Sequence, residues 1–252
     1  MKKTFKKPIT KILLVSTFAA LGIIACKKNE SSSPVSESSQ TVNKNALNTQ
    51  GLPLDNQHVI TLEQANTLIN RFKTNYPLLN STSYFTGAAV RNVLSQEGVN
   101  RVKFYFGNDI LGQSELFMLG MNSNGNDMVN GTIISSVFLP LIGNPVITQL
   151  LNWTDNQLIN LNTAAAATAR HRTNYSSINF GVSFTQDAIR ALVIDETVSG
   201  VRVDYGMTEN NQWTVVLRSV DSDGNVYANA IVLDNGMACP PNCSSANVLI
   251  SL

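Results

Sequence analysis

The chain has 252 residues, 43% of them hydrophobic and 14% charged, with 18 Lys plus Arg against 17 Asp plus Glu. That composition excludes a disordered polyelectrolyte and a multi-pass membrane protein, and it supplies enough apolar residues for a buried core. The formal charge of +1 hides an asymmetry: Lys2, Lys3, Lys6, Lys7 and Lys11 precede any acidic residue, and setting those five aside leaves 13 basic against 17 acidic residues. The remainder is mildly acidic, which argues against a nucleic-acid partner.

Residues 12 to 25 (ILLVSTFAALGIIA) form an apolar run of 14 behind the basic leader. A bilayer span needs about 20 such residues, whereas a secretory signal needs fewer, so residues 1–25 are predicted to be a signal peptide. Ile23, Ile24 and Ala25 ahead of Cys26 resemble the lipobox of bacterial lipoproteins. That resemblance implies that Cys26 becomes an acylated (palmitate-bearing) mature N-terminus. It places the protein at the cell envelope, on the outer membrane, with the membrane as partner through the N-terminal lipid. Residues 26–57 are rich in Ser and Asn and lack apolar periodicity, as expected of a flexible tether.

Past His58 the sequence aligns with itself at an offset of 99. Phe85-Thr86 lies over Phe184-Thr185, Thr74-Asn75-Tyr76 over Thr173-Asn174-Tyr175, Gly107 over Gly206, and Gly125-Asn126 over Gly224-Asn225. Residues 61–126 against 160–225 share 19 identities in 66 ungapped positions. The spacing predicts two copies of one unit, over 58–134 and 158–252.

In the first copy, Leu62, Ala65, Leu68, Ile69 and Phe72 recur at helical spacing over 61–74, with Thr61 as N-cap. A second helix is predicted from Thr86 to about Gln96, stopped by Gly98. Strands are expected over 101–106 and 115–121, joined as a hairpin, and 128–134 is a third candidate. Residues 135–157, apolar with Pro140 and Pro145, are expected to form a helical connector. The second copy predicts helices over 158–171 and 185–194 and strands over 200–206, 213–220 and 226–233. The fold class is therefore α+β: two tandem copies of a helix-helix-β-hairpin unit with a mainly antiparallel sheet.

With Cys26 lipidated, Cys239 and Cys243 in CPPNC are the remaining cysteines. In an exported protein such a close pair reads as a disulfide, and a metal site would need further ligands that His58 and His171 do not supply at suitable spacing. The strings VKFYFGND, ELFMLGMNSNGND and VRVDYGMTENNQWTVVLRSVDSDGN, with the CPPNC ending, are similar to a family of small Bacteroidota proteins. Those proteins combine a G-[IV]-R-[IV]-Y-x-G strand with a CPPYC tail. The resemblance implies the exported compartment and brings no activity with it.

Candidate chemistry is sparse. Asp221, Asp223 and Asn225 flank Gly224 as in a calcium loop, but position 230 is Ala where a bidentate acid would be needed, so a hairpin turn is the stronger reading. Arg91 and Glu97 recur as Arg190 and Glu196, a pattern of surface or interface ion pairs unless the two Glu share a cleft. No G-x-S-x-G elbow accompanies His58 or His171. Tyr76 and Tyr175 read as structural helix-end residues. Exposed aromatics for glycan stacking are a second reading, with Tyr84, Tyr105, Trp153, Tyr205 and Trp213 as further candidates. The sequence implies no cofactor. It points to a lipid-anchored binding or structural module whose partner is an envelope protein or glycan, with an envelope hydrolase sited between the copies as the alternative.

Overall fold

The computed structural model describes residues 57–128, 133–138, 157–234, 236–240 and 249, all within one compact unit, Thr41–Leu252. Helix α1 (Leu62–Asn75) opens at Thr61. Thr61 Oγ1 accepts from the Gln64 N–H at 3.1 Å, and Gln64 Oε1 accepts from the Thr61 N–H at 2.9 Å. This capping box satisfies two of the donors a helix start leaves orphaned. Ala65, Ile69 and Phe72 form the buried stripe, and the helix ends before Pro77, which disfavours helical backbone in its predecessor.

Strand β1 (Thr82–Thr86) runs directly into α2 (Gly87–Leu94), and Thr86 serves as last strand residue and N-cap at once. Strands β2 (Arg101–Asn108) and β3 (Ser114–Met121) make a full eight-pair hairpin, followed by the short β4 (Ile134–Ser135) and β5 (Val137–Phe138). Helix α3 (Leu161–Asn174), β6 (Gly181–Thr185), α4 (Gln186–Val193), β7 (Gly200–Met207) and β8 (Trp213–Val220) follow, then β9 (Met237–Cys239). The elements α3, β6, α4, β7 and β8 match α1, β1, α2, β2 and β3 in length, and each starts 99 residues later.

The strands form two sheets, in the orders β5-β1-β7-β8 and β4-β3-β2-β6-β9, and every pairing between these strands is antiparallel. The chain is an α+β protein with antiparallel sheets. The exchange of strands is its main topological feature: β1 pairs with β7, from Thr82 opposite Asp204 to Thr86 opposite Gly200, while β6 pairs with β2, from Gly181 opposite Tyr105 to Thr185 opposite Arg101. Each sheet thus joins the hairpin of one sequence half to a strand of the other.

The inner faces of the sheets share one apolar cluster that includes Phe85, Phe104, Phe106, Phe184, Val203 and Trp213. Phe85 and Phe104 reach across it with ring centroids 5.7 Å apart. Helix α1 covers the outer face of the four-stranded sheet through Ala65, Ile69 and Val216, and α3 covers that of the five-stranded sheet through Ala164, Ala167, Tyr105 and Phe117.

Glycine is required where those helices cross. A Cβ on Gly107 would lie 2.5 Å from Phe117 Cε2 and 3.3 Å from Ala167 Cβ, and one on Gly206 would lie 2.9 Å from Thr214 Cγ2 and 3.1 Å from Leu68 Cβ. The recurrence of glycine at this offset therefore follows from close helix-on-strand approach.

Three sequence expectations need correction. The unit is not simply helix, helix, hairpin, because β1 and β6 precede α2 and α4. Both are almost wholly buried five-residue strands: TSYFT has no polar-apolar alternation, and the brief alternation from Val182 to Thr185 in GVSFT runs straight into the start of α4. Residues 226–233 do not form a strand: Val226 and Leu233 bridge β8 singly, and a turn closed by Ala230 N–H on Tyr227 O lifts the segment between them away. In the expected helical connector, Ser135 and Val137–Phe138 are extended, and 139–156 lie outside the described residues.

Candidate functional site

Four segments converge at one end of the fold. Arg170 Nε donates to Asn108 O at 2.7 Å, fixing the last turns of α3 to the end of β2, and Arg71 Nη1 donates to Met207 O at 2.9 Å, fixing α1 to the end of β7. The residues that close the two helices, Tyr76 and Tyr175, meet edge to face with centroids 5.8 Å apart. Gln212 Nε2 donates to Ser177 O, tying the β7–β8 turn to the segment after α3.

Trp213 sits beneath this meeting point, fully buried, with six rings around it: Phe72, Tyr76, Phe106, His171, Tyr175 and Tyr205, at centroid distances between 4.9 and 5.9 Å. Edge and tilted contacts of this kind suit the ring quadrupoles. His171 Nε2 lies 3.3 Å from Asn179 O, and burial lowers the imidazole pKa to about 4, so it is neutral at pH 7. Burial likewise pushes the Tyr205 phenol well above its ordinary range. Around this aromatic floor the loops expose three large aliphatic side chains: Leu78 at 88%, Ile110 at 87% and Leu111 at 80%. In the second hairpin the corresponding tip residues are Glu209 and Asn210.

Two buried charge clusters lie elsewhere, on the outer faces of the sheets. On β7 the fully buried Asp204 accepts from Arg202 Nε and Nη2, from Arg218 Nη2, and from Thr82 Oγ1 at 2.7 Å. Burial alone would raise its pKa, but the donated bonds and the two guanidinium charges hold it below the usual carboxylate value. On β2, Lys103 is only 1% exposed. Its Nζ stands 3.9 Å from Asp127 Oδ1 and 4.4 Å from the Tyr105 ring centroid, while Tyr105 OH donates to Asp127 Oδ2 at 2.7 Å. Burial lowers the Lys103 pKa to about 8 against the opposing pull of Asp127. No sequence signal marked either cluster, because Asp127 follows the hairpin rather than lying in it, and Asp204 reads as an ordinary polar strand position.

The predicted site residues fare unevenly. Arg91 Nη1 donates to Val193 O at 3.1 Å, and Gln186 Nε2 donates to Leu94 O, so α2 and α4 reach each other's final carbonyls. Arg190 instead pairs with Asp187 on its own helix at 2.8 Å, and Glu97 and Glu196 are exposed. These four residues line no common cleft with facing carboxylates.

Asp221 Oδ1 accepts from the backbone N–H groups of Asp223 and Asn225 at 2.9 Å each, which lowers the Asp221 pKa. Gly224 has φ +78, as Gly125 has +79 in the equivalent turn. The loop closes on itself as a hairpin turn, and no cluster of three or more His, Cys, Asp or Glu groups suited to a metal exists among the described residues. The expected exposed aromatics Tyr84, Tyr105, Tyr205 and Trp213 are buried in the core, which removes them as glycan platforms, and Trp153 lies outside the described residues.

His58 is buried, its ring 5.1 Å from Phe184 and its carbonyl accepting from the Asp234 N–H. Cys239 is buried on β9. Cys26 and Cys243 lie outside the described residues. Among the described residues no helix is long and apolar enough to cross a membrane. No known family model, curated protein or solved structure matches this chain.

Proposed function

We propose that this protein is a lipid-anchored binding module of the cell envelope. In this reading residues 1–25 are removed, Cys26 carries the lipid, and 26–57 tether two tandem copies of one unit, 58–134 and 158–252. The basic leader, the apolar run of 14 and the cysteine behind it support the anchor. The common offset of 99 between elements, with Gly107 and Gly206 each under the opposite helix, supports the duplication. Cys243 is the proposed partner of Cys239, four residues beyond the end of a covering edge strand.

The observation that carries the binding role is the placement of Leu78, Ile110 and Leu111. These three are more exposed than Leu62 at 56% and Leu158 at 62%, and large aliphatic side chains left this bare support a contact surface. The partner that fits is a protein with an apolar groove, since Tyr84, Tyr105, Tyr205 and Trp213 are buried and the half-buried Tyr76 and Tyr175 pack on each other and on Trp213. A photo-crosslinking residue at position 110 in intact cells is expected to capture a discrete protein, and the same residue at position 97 is expected to capture none. Equal capture at both, or none at 110, rejects the surface. Labelled palmitate should enter the wild type and not Cys26→Ala, and equal labelling of both rejects the anchor.

A further inference from the structure

The Lys103 cluster is unusual in its hydrogen bonding. A buried ammonium is normally held by several acceptors, because desolvating it otherwise costs several kcal/mol. Among the described residues Lys103 Nζ has no hydrogen-bond acceptor; beside it stand the Asp127 carboxylate at 3.9 Å and the face of Tyr105. The carboxylate is fixed on its other oxygen by the Tyr105 hydroxyl at 2.7 Å. Both side chains are buried to within 1%, so water neither solvates the pair nor competes with it. The backbone holds them in register: Lys103 lies opposite Leu119 within the hairpin, and Asp127 bridges Met121, the last residue of β3.

We propose that Lys103 and Asp127 condense spontaneously in the folded protein to an intramolecular isopeptide bond. Proton transfer from the ammonium to the carboxylate gives the neutral pair that a low-dielectric site favours. The free amine pair of Nζ then adds to Asp127 Cγ, forming the C–N bond, with Tyr105 OH hydrogen-bonded to the carboxyl oxygen on which charge develops. One C–O bond breaks, and the departing oxygen leaves as water with the two protons that nitrogen gives up. The ammonium and carboxylate thereby become one amide and one water, with no change in oxidation state and no co-reactant. The product replaces two buried charges by one neutral group and clamps β2 to the chain beyond the β3 turn, a device suited to a module that carries load at an envelope.

Tryptic mapping of the full-length folded protein tests this directly. In the unmodified chain trypsin cuts after Lys103. In the condensed chain that cut is lost, and a peptide spanning residues 102–170 should be lighter by one water, with fragment ions missing between positions 103 and 127. Cleavage after Lys103 at unaltered mass overturns the proposal. So does a peptide that has lost water yet is still cut after Lys103, which would be a succinimide. Lys103→Arg and Asp127→Ala should both restore the full mass, and water loss persisting in either overturns the assignment. Should a variant fail to fold, the wild-type map decides alone.

Discussion

The outer faces of the two hairpins solve one problem in different ways. Lys103, Tyr105 and Leu119 stand where the second hairpin has Arg202, Asp204 and Arg218. The second hairpin carries its acid within the strand. Planar guanidinium groups then satisfy Asp204 with directed bonds from Arg202 and Arg218. The first hairpin has no acid in its strands at this site and draws one from Asp127, beyond the β3 turn, leaving Lys103 near a carboxylate without a hydrogen bond to it. A buried cation at a given sheet position thus needs a counter-charge, but the fold can deliver it from different parts of the chain. Where the geometry is a fork the result is a stable ion pair, and where it is a point charge in a dry site the pair is set up for chemistry.

Removing the acid of the second hairpin should have the largest effect. Asp204→Ala leaves two guanidinium groups without their shared partner, and urea unfolding is expected to show a loss of about 4 kcal/mol. A loss below about 1 kcal/mol would mean that the arginines are served by water and that the contrast with Lys103 is one of exposure.

The next test compares matched positions on α1 and α3, where the first half has Phe72 and the second His171. The folded-state pKa of His171 is about 4 against an ordinary 6.5, so the unfolded chain binds the proton more readily. The contribution is intact above pH 6.5 and falls away as the pH drops towards 4, by up to about 3 kcal/mol. His171→Phe should remove that part of the acid lability. Parallel stability curves for wild type and variant between pH 7 and 4 would show that His171 does not titrate as its burial requires.

The smallest effects concern the crossing glycines. Gly107→Ala meets the Phe117 ring at 2.5 Å with Ala167 behind it, whereas Gly206→Ala meets a threonine methyl at 2.9 Å. Overpacking is expected to cost about 2 kcal/mol at Gly107 and about 1 kcal/mol at Gly206, read as shifts in thermal midpoint. The reverse order would show that α1 yields less readily than α3.

Much of the local structure was legible in the residues. The helical stripe of Ala65, Ile69 and Phe72, the cap at Thr61 and the turn glycines at 125 and 224 all rest on contacts within a few positions, where periodicity and capping rules apply. The strands β1 and β6 were not legible, because TSYFT is buried on both faces and does not alternate, while the brief alternation from Val182 to Thr185 runs straight into α4. The candidate contact surface was only half legible. Tyr76 and Tyr175 stood out by repetition, but Ile110 and Leu111 sit in a turn whose exposure depends on what the neighbouring helices leave uncovered.

By itself, the sequence determined the helices α1 to α4, the hairpins β2–β3 and β7–β8, the offset of 99 and the residues that cap and turn the chain, since these depend on interactions within one helical turn or one hairpin. Only the tertiary structure decided that β1 joins β7 and β6 joins β2. It also decided that Gly107 and Gly206 lie under opposing helices and that Asp127 reaches Lys103. A pattern of apolar residues specifies that a face must be buried and is silent on which of two similarly patterned partners buries it. That choice is made by shape and charge matching across the assembled core.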